Sequence, residues 1–409
     1  QDTVVNAQVV RKESDGRVIA RDPAIHMCYV EVEEPDMEKP LGDLDRLLVA
    51  LEKDWKLKRI EVDFHLLPRV QQILRKGEWK VTAAIHKDEV DDRPRLVALY
   101  PGLKNEAYGI ACDIGSTTIA MHLVSLLSGR VIASSGLSNP QIRFGEDLMS
   151  RVSYVMMNPD GREAMTKAVR QAINELTVKV CAEAGVDPND ILDAVFVANP
   201  IMHHLFLGID PTELGQAPFA LAVSGAIHTW SREIDLAINH GARIYCLPCI
   251  AGHVGADAAG ATLSEGPHRQ DKMMLLVDVG TNAEIVLGNR ERTVAASSPT
   301  GPAFEGAEIS CGQRAAPGAI ERVRIDPVTL EPRFKVIGVE QWSDEEGFAE
   351  AAEKTGITGI CGSAIIEVVA EMYLSGVIST DGVVDGGMAA KSHRILENGR
   401  TFSYLLHDG

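Results

Sequence analysis

The sequence predicts an α/β protein built from one lobe used twice, with a small α+β domain ahead of the pair. Three observations carry this. Ala111-Cys112-Asp113-Ile114-Gly115-Ser116-Thr117-Thr118 and Val277-Asp278-Val279-Gly280-Thr281-Asn282-Ala283-Glu284 read as copies of one device. Each is an apolar strand ending in Asp, a Gly-containing turn rich in hydroxyl or amide side chains, and a second apolar strand (residues 119–127 and 285–287). A third strand follows each copy behind a polar turn, at 131–134 behind Ser128-Gly129-Arg130 and at 293–296 behind Asn289-Arg290-Glu291. The copies lie about 165 residues apart (113 to 278), far beyond a solenoid repeat, so duplication of a whole domain is the reading.

Residues 1–104 form the small α+β domain. Residues 28–34 alternate as a strand, and 44–55 have helical spacing, with Leu44, Leu47, Leu48 and Leu51 on one face. A second helix is expected over 68–74, with Pro68 in its first turn, where no N–H is needed. Strands follow at 79–86 and 96–100. No cluster of ligands or nucleophiles stands here, so the domain reads as a spacer or docking module.

The first lobe occupies 105–270. After its three strands come Asn139-Pro140-Gln141 and Phe144-Gly145-Glu146-Asp147, a long helix over 162–184, and a buried strand over 193–198 that ends in Asn199-Pro200. A strand at 244–247 leads to Gly252-His253-Val254-Gly255-Ala256-Asp257. The second lobe, 271–409, repeats the three-strand opening, continues through Gly301-Pro302-Ala303-Phe304-Glu305-Gly306, and carries a helix over 363–374. The chain begins at Gln1 and ends at Ser403-Tyr404-Leu405-Leu406-His407-Asp408-Gly409, within what reads as a strand and its turn. It is therefore expected to be a piece of a longer polypeptide, with the second lobe truncated at its C-terminus.

Bulk properties exclude several classes. At 409 residues, two or three domains are expected. Composition is 45% apolar and 24% charged, with no apolar run of membrane-spanning length, so no membrane association is expected. A formal charge of -18 argues against nucleic acid as a partner, because phosphate backbones are held by dense Lys and Arg. Seven scattered cysteines fit reduced thiols in the cytoplasm. Only Cys246-Leu247-Pro248-Cys249 has close spacing, and it lacks the second pair that a four-thiolate site needs.

The chemistry centres on Asp113 and Asp278. Mg²⁺ carried by a nucleotide keeps several waters and needs only one or two carboxylates, which this pair would supply from two facing lobes. Behind them, Gly115-Ser116-Thr117-Thr118 and Gly280-Thr281-Asn282 offer close backbone approach and hydroxyl or amide donors to phosphate oxygens. A single Asp-x-Gly turn is an ordinary tight turn. Two at matching positions make a nucleotide clasp. Gly359-Ile360-Cys361-Gly362-Ser363 opens a helix and serves either as a phosphate or ribose contact or as a close-packing turn. Gly255, Asp257, Gly301, Glu305 and Gly306 are cleft-lining candidates or ordinary loop positions. His203 and His204 stand in an apolar setting that favours packing or capping over metal ligation. There is no Walker-type Gly-x-x-x-x-Gly-Lys-[Ser/Thr].

The paired turns resemble the phosphate motifs of the acetate and sugar kinase, heat-shock chaperone and actin superfamily. Finer motifs narrow this. Asp113-Ile114-Gly115-Ser116-Thr117-Thr118, Asn139-Pro140-Gln141 through Phe144-Gly145-Glu146-Asp147 to Ser150-Arg151, Met202-His203-His204-Leu205, Val254-Gly255-Ala256-Asp257, Gly301 to Ala307 with Ile309-Ser310-Cys311-Gly312, and Gly356 to Ser363 together resemble the reductive activators of corrinoid proteins. The resemblance covers roughly 105–385, and more loosely the N-terminal unit, which is similar to that family's middle or linker domain.

That resemblance implies duplicated actin-like (ribonuclease H-like) lobes. It also implies ATP-driven return of a corrinoid protein from Co(II) to Co(I), with ATP and Mg²⁺ as cofactors. The expected partner is the corrinoid protein, with its methyltransferase and a homodimer as further expectations. Asp113 and Asp278 are the metal candidates; Gln141, Glu146 and Asn199 are candidates for positioning the attacking water. The spacing Cys-x₄-Cys-x₂-Cys is absent, so a [2Fe-2S] cluster is expected only in an N-terminal domain outside these residues. The family's later Gly-rich strand-turn, which helps seat adenine, is also absent, and Ala198-Asn199-Pro200 stands where Gly-Asn-Thr is commoner. Two alternatives remain open: a small-molecule kinase acting on a sugar or carboxylate, and a nucleotide-gated protein-binding module.

Overall fold

A computed structural model describes residues 22–87, 93–279, 282–299, 309, 311–313 and 315–407. The chain forms two compact units, Gln1–Met273 with Gly288–Thr293, and Met274–Leu287 with Val294–Gly409. The N-terminal part of the first unit comprises β1 (Ile25–Glu31), α1 (Asp43–Trp55), β2 (Glu61–Val62), α2 (Val70–Lys76), β3 (Lys80–His86) and β4 (Arg95–Pro101). The strands form one sheet in the order β1-β3-β4-β2. Helix α1 buries Leu47, Ala50 and Leu51 at helical spacing, and Asp43 and Asp45 in its first turn suit the helix dipole. Pro68 lies not in the α-helix but in a 3₁₀ turn, Phe64–Arg69, which starts early because the Asp63 side chain accepts from the His65 N–H.

This sheet is buried on both faces. Ala83 and Ile85 point to a core shared with Leu47, Leu51 and Leu74. Alternation turns Ala84 the other way, into a second core with Ile25, Val97, Ala98, Ala107 and Leu192. That second core seats the small domain on the first lobe. Polar contacts fix the seat: Asp63 accepts from His65 Nδ1 at 2.8 Å and from Arg232 Nη1 at 3.1 Å. The guanidinium groups of Arg95, Arg232 and Arg243 lie 5.1, 5.2 and 4.7 Å from the Trp230 ring. Burial pushes the Asp63 carboxyl up, but the His65 hydrogen bonds and the Arg232 charge outweigh it and hold the pKa at about 2.

The first lobe proper contains β5 (Tyr108–Ile114), β6 (Thr118–Ser125), β7 (Val131–Ser138), α3 (Leu148–Met157), α4 (Gly161–Ala184), β8 (Ile191–Ala198), α5 (Pro200–Leu207), β9 (Ile227–Trp230), β10 (Arg243–Cys246) and α6 (Ala256–Glu265). Its sheet runs β7-β6-β5-β8-β10-β9. Strands β5, β6 and β7 pair antiparallel, whereas β8 runs parallel to both β5 and β10. Met165, Val169, Ile173 and Leu176 of α4 share one core with Ile110, Ile114, Met121 and Leu123 of the sheet.

The second unit opens with β11 (Met274–Val279), β12 (Asn282–Gly288) and β13 (Thr293–Pro299), a sheet in that order. This repeats the neighbour order of β5, β6 and β7. It continues with β14 (Ala319–Ile325), β15 (Pro332–Val336), α7 (Phe348–Thr355), β16 (Gly359–Ile360), α8 (Gly362–Leu374), β17 (Ile395–Asn398) and β18 (Thr401–Tyr404). Strand β16 pairs with only two residues of β14, and helix α8 completes that edge with carboxylates. Glu367 and Glu371 accept from the N–H groups of Val323 and Ile325 at 2.8 and 3.1 Å.

Arg232→Ala removes a donor from buried Asp63 and is expected to lower unfolding free energy by about 1–3 kcal/mol, read by denaturant titration at neutral pH. Because the Asp63 pKa is depressed when folded, its contribution is full above the unfolded value near 3.8 and is lost as pH falls towards 2, so the gap between variant and parent should close on acidification. Asp193, in register with Arg243, has the opposite sign: burial raises its pKa to about 6 against the Ala194 N–H and the Arg243 charge. The folded state then binds the extra proton between about pH 4 and 6, and stability falls as pH rises through that window. Asp193→Asn should therefore gain stability relative to the parent as pH rises from about 4 to 6 and keep that gain above it; a difference in thermal midpoint between variant and parent that is the same at pH 4 and pH 7.5 would refute this.

Candidate phosphate-binding turn and its scaffold

The first Asp-x-Gly turn joins β5 to β6. Ile114 pairs with Ile119, and the chain reverses through Gly115, Ser116 and Thr117. A Cβ on Gly115 would lie 2.5 Å from the Thr118 carbonyl oxygen, so only glycine fits without movement. Three successive carbonyls of the turn are engaged. Gly115 O accepts from Asn139 Nδ2 at 2.8 Å, Ser116 O from Arg151 Nη2 at 2.6 Å, and Thr117 O from the Asn139 backbone N–H at 2.8 Å.

Both donors are buried, Asn139 at 1% exposure and Arg151 at 0%. Asn139 follows β7, and its Oδ1 accepts from the Gln141 N–H to start the 3₁₀ turn Pro140–Phe144. Arg151 stands on α3, where its Nε donates to Gly145 O at 2.9 Å and its Nη1 lies 2.8 Å from the Met202 sulfur on α5. One guanidinium thus ties the turn, the loop before α3 and helix α5 together. Asn139, Arg151 and Met202 belong to the motifs of the sequence, but sequence alone assigns them no role. Their one local signal is a single basic residue among the apolar ones of α3.

Other first-lobe candidates gather at the same strand ends. Register places Asp113 beside Val197, and Ile114 beside Ala198, the last residue of β8. Asn199 then caps α5 by accepting from the Met202 N–H at 3.0 Å. A Cβ on Gly255, the N-cap of α6, would lie 2.5 Å from Ala198 O and 2.7 Å from Asn199 Cα, so the start of α6 is pressed against the end of β8. Asp257 accepts from the Ala258 N–H in that first turn. Asp113, Gly115–Thr117, Asn199, Gly255 and Asp257 thus share one end of the β5–β8 pair. Asp113 and Thr118 are exposed. Ligands of open α/β sheets sit beyond such carboxyl ends.

The remaining candidates are placed elsewhere. Gln141 is fully buried and donates through Nε2 to Met165 O at 2.9 Å, inside the core rather than at the turn. Glu146 is exposed on the loop leading to α3. In the second unit Asp278 is exposed near the end of β11, and Asn282 opens β12. Gly280, Thr281, Gly301, Glu305 and Gly306 lie outside the described residues. Gly359 backs onto Cys311, since its Cβ would meet that carbonyl at 2.6 Å. Gly362 opens α8, and Ser363 Oγ donates to Glu321 O at 3.1 Å.

His204 has a defined tautomer: Nδ1–H donates to Pro200 O at 2.9 Å while Nε2 accepts from the Ala222 N–H at 3.1 Å. His203 is 2% exposed, and neither ring nitrogen has a hydrogen-bond partner. Burial, then the neighbouring His204, lowers its pKa to about 4, so it packs as a neutral ring. Cys246 and Cys249 are free and buried, with burial pushing their pKa values up to about 12 and about 11. Such thiols resist ionisation, and among the described residues no group of three or more His, Cys, Asp or Glu is placed to hold a metal. This donor set does not fit an iron–sulfur cluster. Mg²⁺ carried by a nucleotide asks for less, and exposed Asp113 beside a glycine-lined turn fits that requirement.

Comparison with known proteins assigns nearly the whole chain to one family. Residues 14–106 match the RACo linker region, 108–270 the RACo middle region, and 272–409 the C-terminal domain of RACo, the ASKHA domain. The corrinoid activation enzyme RamQ of Eubacterium limosum is 34% identical over 301 residues, covering 73% of this chain and 48% of that protein. The [Co(II) methylated amine-specific corrinoid protein] reductase of Methanosarcina barkeri is 25% identical over 225 residues, 52% of this chain and 40% of that protein. A solved structure, the reductive activator for corrinoid, iron-sulfur protein, is 32% identical with a TM-score of 0.77, covering 98% of this chain and 60% of that one. The chain thus spans about half the length of the curated relatives it matches. It belongs to the RACo family, with an actin-like ASKHA domain at its C-terminal end.

Proposed function

We propose that this chain is the nucleotide-binding portion of an ATP-dependent reductive activator, which returns the cobalt of a corrinoid protein from Co(II) to Co(I). The observation that supports it most is the glycine-lined turn beside exposed Asp113, held from behind by Asn139 and Arg151, in a chain 32% identical over 98% of its length to a reductive activator. In this reading the turn amides and the Ser116, Thr117 and Thr118 hydroxyls take phosphate oxygens. Asp113 would hold the Mg²⁺ carried by the nucleotide, with Asp278 the corresponding residue of the second repeat. Mg²⁺, when bound, screens the charge of the phosphates and stabilises the charge that develops as the γ-phosphoryl leaves. Asn199, at the end of β8, and Glu146, on its exposed loop, are the better placed candidates for orienting water; Gln141 fits a packing role.

The stoichiometry is one electron into cobalt, taken from an external reductant, with ATP hydrolysed to ADP and phosphate. The electron enters from outside these residues, because their cysteines do not form a cluster site. ATP contributes by linkage: a nucleotide that binds one conformation better biases the activator towards it, and a corrinoid protein that prefers that conformation is bound accordingly. The corrinoid protein is the proposed partner, with its methyltransferase and a second copy of the activator as further ones. No described helix is long and apolar enough to cross a membrane. Seven free cysteines support a cytoplasmic setting.

The test follows the Co(II) electron paramagnetic resonance signal of a corrinoid protein, mixed with the intact activator, a low-potential reductant and Mg-ATP. The signal should disappear only with ATP. Asp113→Asn should slow that loss and the accompanying phosphate release by about 100-fold or more. Parental rates in the variant would overturn the role of Asp113. Phosphorylation of a sugar or carboxylate, with Co(II) untouched, would replace the activator reading with a kinase.

A further inference from the structure

We infer that Arg151 and Asn139 are positioning residues that turn the backbone of Gly115–Thr117 into an anion receptor for the β- and γ-phosphates of a nucleoside triphosphate. The inference rests on the ATP reading above and adds how the site is formed. A trans peptide holds the carbonyl of one residue and the N–H of the next on opposite sides. Asn139 Nδ2 and Arg151 Nη2 draw the carbonyls of Gly115 and Ser116 towards the protein at 2.8 and 2.6 Å. The amides of Ser116 and Thr117 therefore face away from those donors. The Asn139 N–H on Thr117 O fixes the exit of the turn into β6. Successive amides directed to one side make an anion-binding concavity.

Each donor suits this role in a way its nearest substitutes do not. The guanidinium is planar, and its three nitrogens reach three partners on separate segments: Ser116 O, Gly145 O and the Met202 sulfur. It is also a buried cation one peptide behind the phosphate position, where low dielectric strengthens its attraction for an anion. Lysine would keep the charge but not the fork. Asn139 uses both ends of its amide, Oδ1 on the Gln141 N–H and Nδ2 on Gly115 O. Aspartate would keep the first bond and lose the second. The two residues thus act through the turn rather than by touching the ligand.

The two conservative substitutions separate positioning from mere folding. Arg151→Lys and Asn139→Asp are made in the intact protein, and ATP and AMP binding are measured by calorimetry alongside the thermal midpoint. Each variant is expected to weaken ATP by about tenfold or more, as loss of a buried charge-assisted or turn-fixing hydrogen bond implies, while AMP affinity stays within about twofold. AMP lacks the phosphates that the turn would hold, so a generally loosened site would weaken both ligands together. That joint loss, or unchanged ATP binding in either folded variant, would overturn the inference. A parent that binds no ATP would instead overturn the functional reading on which it rests.

Discussion

A buried guanidinium is the constraint on which the turn between β5 and β6 depends. Backbone carbonyls removed from water must find donors, and the reversal after β5 buries carbonyls close to the centre of the sheet. Arg151 and Asn139 supply those donors, and each is itself held in place: Arg151 by Gly145 and Met202, Asn139 by the turn that follows it. The result is a closed circuit through β5, β7, α3 and α5. Its members come from stretches that are far apart in the chain, which explains why the Asn139–Arg151 and Met202–Leu205 motifs accompany the Asp-x-Gly turn. They form the back of one structure whose front is the turn.

A second circuit fixes the small N-terminal domain. Its sheet is apolar on both faces, so it cannot stand with one face in water, and the face carrying Ala84 and Val97 finds its cover in Ala107 and Leu192 of the lobe. Asp63 is 3% exposed and would be costly there without His65 and Arg232, which supply hydrogen bonds and opposite charge. Gly241 lets the two backbones meet, since a Cβ there would fall 2.0 Å from Val97 O. Contacts of this kind join the domain to the lobe as one body.

Alternation and spacing located most of the early elements from sequence. The paired three-strand openings, the long α4 and the strand ending at Asn199 all stand where apolar periodicity puts them, within a few residues. The features that sequence hid depend on tertiary partners. Strand β14, with Glu321, Arg322 and Arg324 breaking its apolar run, has its amides satisfied by carboxylates of α8, which no local pattern announces. From sequence, Gln141 is one of three candidates for positioning the attacking water. Its side chain instead satisfies the Met165 carbonyl inside the core. Arg151 is the converse: an arginine is ordinarily a surface residue, and this one is buried because three segments of the fold present acceptors to it.

The two lobes also show how far a strand pattern reaches. Ile110, Cys112 and Ile114 on β5 correspond, through the aspartates, to Leu275, Val277 and Val279 on β11. The first three are buried in the core that includes α4 and α5. The second three are 62%, 44% and 48% exposed. Period-two alternation says which side chains share a face but carries no information on what covers it. Exposure forgoes much of the roughly 1.5–3 kcal/mol that full burial of each such side chain would contribute. Among the described residues of the second unit, the main buried cluster is that of β14, β15, α7 and α8, where Val323, Val336 and Ala364 are fully buried.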